Sequence, residues 1–212
     1  MRWHFVRVLA PYLGPDWTSE ACRKRLITMM LKEVRGNVGR DIGRQTPDFR
    51  ASGYSNVHYD IRNNSGVITL VGISIGTVSA LSQIQDNTWN KEDLIANWRP
   101  ITERIGEEYL NGESSELAYA RTICTNQLNL EDEDPVELGR GWFVATMGRK
   151  FMLSDKGHIG LVPADKREGD IVSVLKGGKT PFVLRPEDNH FLMVGEAYGG
   201  YLLSHSQVFI LC

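Results

Sequence analysis

The chain has 212 residues, 42% apolar and 24% charged, with a net charge of −2. That balance supplies a core and excludes a disordered polyelectrolyte or a collagen-like repeat. It sets up no global field toward nucleic acid or membrane, and no segment approaches the ~20 apolar residues of a membrane helix.

Val6–Leu9 reads as a short strand, closed by Pro11, Gly14 and Pro15. A helix is expected over residues 16–35. Asp16, Thr18 and Ser19 offer N-caps, Leu26, Ile27, Met30, Leu31 and Val34 recur at helical spacing, and Gly36 stops it. Residues 40–65 are polar and turn-rich. The first strongly β-flavoured run follows, from Val67 to Val78, in which Ile73, Ile75 and Thr77 alternate with Ser74 and Gly76. A helical stretch comes next, with Asn90 as its cap and Leu94, Trp98, Ile101 and Ile105 on one face. Pro100 is expected to break or kink it. Ser114 or Ser115 caps a shorter helix through Ile123. The acidic run Glu131–Asp134 reads as an exposed loop, since adjacent carboxylates repel and gain nothing from burial.

From Trp142 onward short strands alternate with turns. The strands are expected at Phe151–Leu153, His158–Val162, Asp170–Leu175, Pro181–Arg185, Phe191–Val194, Tyr201–Leu203 and Val208–Leu211. Such spacing indicates a sandwich or small barrel. Ile171–Leu175 is apolar on both faces, as a central strand would be.

The charge is uneven. Residues 1–50 carry ten Lys/Arg against five Asp/Glu, and residues 86–140 carry five against thirteen. The two segments read as complementary surfaces that face each other or a partner. Cys22, Cys124 and Cys212 are odd in number and far apart, which suits a reducing compartment without a disulfide framework or zinc ribbon. Arg7 interrupts the apolar start, so no cleavable signal is expected. The chain reads as cytosolic.

Three chemistries have a footing in the residues. Gly72-Ile-Ser-Ile-Gly76 matches the G-x-S-x-G nucleophile elbow, with Ser74 as nucleophile and His158, His190 or His205 as base. Against it, one strand precedes the motif where several βα units are needed, and no Gly-rich oxyanion segment lies upstream. The alternative for the same residues is a strand with a glycine bulge. Nucleic-acid binding by a small barrel would use Lys176, Lys179 and Arg185, but Phe182 and Phe191 read better as core than as stacking platforms. No two histidines lie at metal-ligand spacing with a cysteine or carboxylate, so neither metal nor cofactor is expected.

The longest pattern belongs to the β-rich third. Arg149-Lys-Phe151-Met-Leu-Ser-Asp-Lys-Gly157-His-Ile-Gly160-Leu-Val-Pro163 opens it, and Gly169-Asp170-Ile-Val-Ser-Val-Leu-Lys-Gly177-Gly-Lys-Thr-Pro181-Phe-Val-Leu-Arg185 continues it. Phe191-Leu-Met-Val-Gly195-Glu196-Ala-Tyr198 completes it. This order of residues resembles the C-terminal region of the fungal heterokaryon-incompatibility (HET-domain) proteins. Echoes upstream lie at Phe49–Gly53, Leu70–Ile75 and Ala120–Thr122. The end departs from that family, reading Gly199-Gly-Tyr-Leu-Leu-Ser-His205 where a His-Gly-Ile-Met-like segment is usual. The N-terminal HET domain is not recognisable here, so the chain looks like a stand-alone C-terminal portion, a truncated product or a divergent relative.

The resemblance implies a context of self/non-self recognition and cell-death signalling, with a protein partner rather than a catalytic role. The glycines read as turn or close-approach positions, Pro163 and Pro181 as strand flanks, Asp170 as a turn-closing acceptor, and Arg185 with Glu196 as a cross-strand ion pair. The expected fold is α+β, with helices packed on an antiparallel, small β-barrel-like C-terminal module. Residues 1–140 form the mainly helical part with one strand or hairpin near 67–78, residues 141–212 form the module, and the whole makes one integrated domain.

Overall fold

The computed structural model describes residues 4–9, 51–52, 59–61, 67–85, 90–125 and 145–199. The helix expected over 16–35, the acidic run 131–134 and the strands expected at Tyr201–Leu203 and Val208–Leu211 lie outside the described residues.

The described strands are β1 (His4–Leu9), β2 (Tyr59–Ile61), β3 (Val67–Leu81), β4 (Arg149–Ser154), β5 (Ile159–Pro163), β6 (Ile171–Leu175), β7 (Phe182–Glu187) and β8 (His190–Glu196). The helices are α1 (Lys91–Thr102) and α2 (Ser115–Ile123). The sheet runs β1-β8-β7-β6-β3-β4-β5, with β2 also paired to β3. All pairings are antiparallel except the short parallel one of β1 with β8, which aligns Val8 with Phe191. Every pairing within residues 141–212 is antiparallel, as expected of the C-terminal module, and the parallel contact is brought by β1 from outside it. β1 also pairs antiparallel with β3.

β3 organises the molecule because it is long enough to serve four partners. Its first half pairs with β1 on one edge and β2 on the other. Its second half pairs with β6 and then β4. Gly72 aligns with both His4 and Leu175, so β1 and β6 flank opposite edges. The strand is rich in β-branched residues, which favour the pleated backbone. Its alternation buries Ile73 and Ile75 and leaves Ser74 exposed. The sheet thus takes strands from both sides of residue 140.

Alternation along β4 and β5 builds two cores. Phe151, Leu153, Ile159 and Leu161 point one way and pack with Leu94, Trp98, Ile101, Ala118 and Ile123 from the helices. Met152 and Val162 point the other way and join Ile73, Ile75, Val78, Val172, Val174 and Val183. Trp98 stacks on Phe151 at 5.5 Å, and Tyr119 meets the same ring edge-on at 5.3 Å. Full burial of side chains of this size contributes about 1.5–3 kcal/mol each.

Asn90 caps α1 as expected. Its side chain accepts from Asp93 N at 2.8 Å, and the Asp93 carboxylate accepts from Asn90 N at 3.0 Å. Ser114 caps α2 by accepting from Leu117 N at 3.2 Å. Pro100 does not break α1 where expected. The helix runs two residues further, to Thr102, and tightens into a 3₁₀ turn at Glu103–Ile105. Pro100 forfeits one hydrogen bond, that of its missing N–H, while Trp98 and Ile101 on either side of it stay buried in the core.

Candidate functional site

Ser74 lies inside the β3–β6 ladder, aligned with Ser173, with a bulge before Gly76. β3 continues through it to Leu81, so the strand-to-helix turn of a nucleophile elbow is not formed. The two glycines of the motif serve packing. A Cβ on Gly72 would lie 2.7 Å from the Leu175 side chain and 3.0 Å from the Val174 carbonyl oxygen. One on Gly76 would lie 2.8 Å from Asp155 Oδ1 and 2.9 Å from Ser154 Oγ. The β4–β5 turn needs that space, since Asp155 Oδ1 accepts from Thr77 N at 2.7 Å.

The candidate histidines are not gathered around Ser74. His158 sits in the β4–β5 turn, which is tied to Thr77 and Val78. His190 opens β8, whose next residue aligns with Val8 of β1, itself opposite Ile68. The registers thus connect the two histidines to opposite ends of β3, and His205 lies outside the described residues. His158 Nδ1 is buried and without a hydrogen-bond partner. Burial, reinforced by Lys156 and opposed by Asp155, holds its imidazole below the ordinary histidine value.

The motif residues of the β-rich third are spent on turns, close packing and one ion network. Gly157, Gly169 and Gly177 have φ of +80°, +89° and +83°. Gly160 does not. Its Cβ would sit 2.5 Å from the Tyr198 carbonyl oxygen, where Tyr198 bridges Leu161 with hydrogen bonds of 2.6 and 2.8 Å. Gly195 lies at the irregularity between β7 and β8, with φ of +150°. Pro163 ends β5, and Pro181 precedes β7 and accepts from Ala197 N at 2.9 Å.

Asp170 is almost wholly buried and does close its turn, accepting from Arg167 N at 3.1 Å. It also receives both arms of Arg185, Nε at 2.8 Å and Nη2 at 3.0 Å. The expected Arg185–Glu196 pair is therefore corrected. Register aligns Arg185 with Leu192 and Glu196 with Phe182, so the two are not neighbours across the strands. Hydrogen bonding to Asp170 holds the Arg185 guanidinium above its usual range. Glu196 instead interacts with Arg149. Burial raises the Glu196 carboxyl and lowers the Arg149 guanidinium, and each charge partly offsets the other's shift.

Lys166, in the β5–β6 loop, was not singled out from sequence. Its side chain is fully buried, donating to Asp165 Oδ1 at 2.5 Å and to the Val194 carbonyl at 2.7 Å. Burial pulls its ammonium below the usual value, against the hydrogen bond and charge of Asp165. Local sequence carries no signal for it, because lysine in a polar loop ordinarily faces water.

A second feature escaped sequence reading. A groove of about 340 Å³ opens between α1 and α2, lined in part by Ile95, Arg99, Glu103, Ser115, Glu116 and Tyr119. The Ser115 and Tyr119 hydroxyl oxygens are buried without hydrogen-bond partners. Among the described residues no cluster of three or more His, Cys, Asp or Glu could hold a metal ion, and no helix is long and apolar enough to cross a membrane.

Residues 126–204 match the family model of the Het-6 beta-barrel domain, a C-terminal region associated with fungal heterokaryon-incompatibility proteins. The match covers somewhat over a third of the chain and contains the whole pattern from Arg149 to Tyr198, so the resemblance read from those residues is borne out. Comparison with curated proteins and with solved structures gives no match.

Proposed function

We propose that this chain is a non-enzymatic interaction or regulatory module, related through its Het-6 barrel region to fungal heterokaryon-incompatibility proteins. Its role is to engage a protein partner in the cytosol, with a signalling domain supplied in trans as the leading candidate. The observation that carries this reading is the family match over residues 126–204. The spending of the matched motif on scaffold supports it. Gly157, Gly169 and Gly177 shape turns, Gly160 admits Tyr198, and Asp170 and Arg185 satisfy each other. The pairing of β1 with both β8 and β3 supports a sheet that curls back on itself as a small barrel.

The test is direct binding between the purified full chain and separately expressed HET domains from fungal incompatibility proteins, measured by calorimetry. Saturable binding is expected. An absence of binding across a broad set of such domains counts against the reading. A fluorophosphonate probe that labelled the folded protein and lost labelling on Ser74→Ala would overturn its non-enzymatic part. The position of Ser74 within the β3–β6 ladder supports the opposite outcome.

A further inference from the structure

β5, at one end of the sheet order, lies against β8 near the other end, and the two share no regular ladder. β8 pairs with β1 at Phe191 and Leu192. Further along, from Val194 to Tyr198, the same segment faces β5 and the loop after it. Leu161 N donates to the Tyr198 carbonyl at 2.6 Å, and Tyr198 N donates to the Leu161 carbonyl at 2.8 Å. A Cβ on Gly195 would lie 3.5 Å from both Pro163 Cγ and Lys166 Nζ, so these groups sit directly across from it.

The sequence explains why this pairing is so short. The Leu161–Tyr198 bridge is antiparallel, so the next rung falls at Pro163 and Glu196 and the one after at Asp165 and Val194. Alternation directs the main-chain groups of Ile159, Leu161 and Pro163 to this edge. Ile159 N donates to Tyr109 Oη at 3.2 Å, and Leu161 N is taken by Tyr198. Pro163 has no N–H to offer. On the other side, the register of β7 with β8 skips Val194. Its carbonyl accepts from the Lys166 ammonium at 2.7 Å. A side chain thus supplies the rung that the main chain cannot.

The loop that carries Lys166 is anchored on other strands. The Lys166 carbonyl accepts from Lys150 Nζ of β4 at 3.0 Å, and the Asp165 carbonyl accepts from Arg185 Nη2 of β7 at 3.1 Å. Two backbone bonds and one buried ammonium therefore span the seam between β5 and β8. β7 and β8, by contrast, are aligned from Phe182 to Glu187.

We infer that the β5–β8 seam is a gate latched by the Lys166 ammonium, which opens while the rest of the sheet stays paired. Opening frees the main-chain groups of Leu161 and Tyr198 and uncovers their side chains, which belong to the core beneath the helices. β5 remains on β4 and β8 remains on β7. The inference stands apart from the interaction-module reading.

Amide hydrogen exchange of the full chain, followed by NMR at increasing sub-denaturing urea, tests it. Three reference amides report on the rest of the sheet. Ser82 N donates to the Phe151 carbonyl, Lys176 N to the Val71 carbonyl and Ala197 N to the Pro181 carbonyl. The Leu161 and Tyr198 amides are expected to be about tenfold less protected than the references and to depend less on urea. Lys166→Met keeps the length of the side chain and loses the ammonium. It is expected to lower protection of the two seam amides about tenfold further relative to the references. Asp165→Asn, at an exposed position, removes the carboxylate beside the ammonium and is expected to lower it about threefold. Lys166→Met that failed to fold would leave the parent protein and Asp165→Asn to decide. Seam amides protected as well as the references in the parent, or a seam-to-reference ratio unmoved in the folded variants, would overturn the proposal.

Discussion

At the scale of single residues, three side chains change meaning once their neighbours are known. Gly76 looks like half of a catalytic motif, but its missing Cβ is the space into which Ser154 and Asp155 pack. Gly76→Ala should therefore cost about 1–3 kcal/mol by overpacking, whereas exposed Ser74→Ala should stay within about 0.5 kcal/mol. Urea unfolding of the two variants checks both. Asp170 looks like a turn residue and is one, yet it is also the buried partner of Arg185. Asp170→Ala strands that guanidinium and an amide, and should cost about 3–5 kcal/mol. Asp170→Asn keeps an acceptor and should cost less. His158 is held below its ordinary value of 6.5, so the unfolded chain takes up the proton first as pH falls. Its contribution to stability is complete above pH 6.5 and is lost as pH drops toward the folded value. Unfolding free energies measured from pH 7.5 down to 5 should fall less steeply in His158→Gln than in the parent.

At the scale of elements, strands and caps were legible because their signals are local. The five runs expected between Phe151 and Val194 all appear, each displaced by a few residues at its ends. Three of the four turns between them carry a glycine at positive φ, Gly157, Gly169 and Gly177, and the fourth, between β7 and β8, is made by Asp188 at +37°. Asn90 and Ser114 cap their helices for the same local reason, a short side chain facing amides that lack partners. Asn90→Ala should lower stability by about 1 kcal/mol, seen as a drop in the urea midpoint without a change in slope. Pro100 shows where local rules stop. It removes one backbone donor and crowds the carbonyl four residues earlier, yet the buried face of Leu94, Trp98 and Ile101 carries the helix past it.

At the scale of the whole molecule, β3 decides the architecture. It lies between β6 and β4 in the sheet and supplies Ile73, Ile75 and Val78 to one core and Ala80 to the other. A boundary at residue 140 would cut the sheet from its longest strand. A fragment of residues 141–212 should therefore fail to unfold cooperatively in urea, while the full chain does so. A fragment with a sharp transition would show that the module stands without β3. α1 and α2 lean on the outer face of β4 and β5 through Trp98, Phe151 and Ile123, so the helices complete a core.

The sequence by itself determined the order of strands and turns in the β-rich third, the two helix caps upstream of it, and the resemblance to the heterokaryon-incompatibility C-terminal region. Those depend on backbone preferences within a few residues and on a pattern spread over some fifty positions. Only the tertiary structure decided that β1 pairs with two strands, that Arg185 answers Asp170 instead of Glu196, that Lys166 is buried, and that Ser115 and Tyr119 share a groove. Each of these joins segments distant in the chain, or sets a burial that hydrophobic periodicity does not encode. Register and packing select among partners that the one-dimensional pattern leaves equivalent.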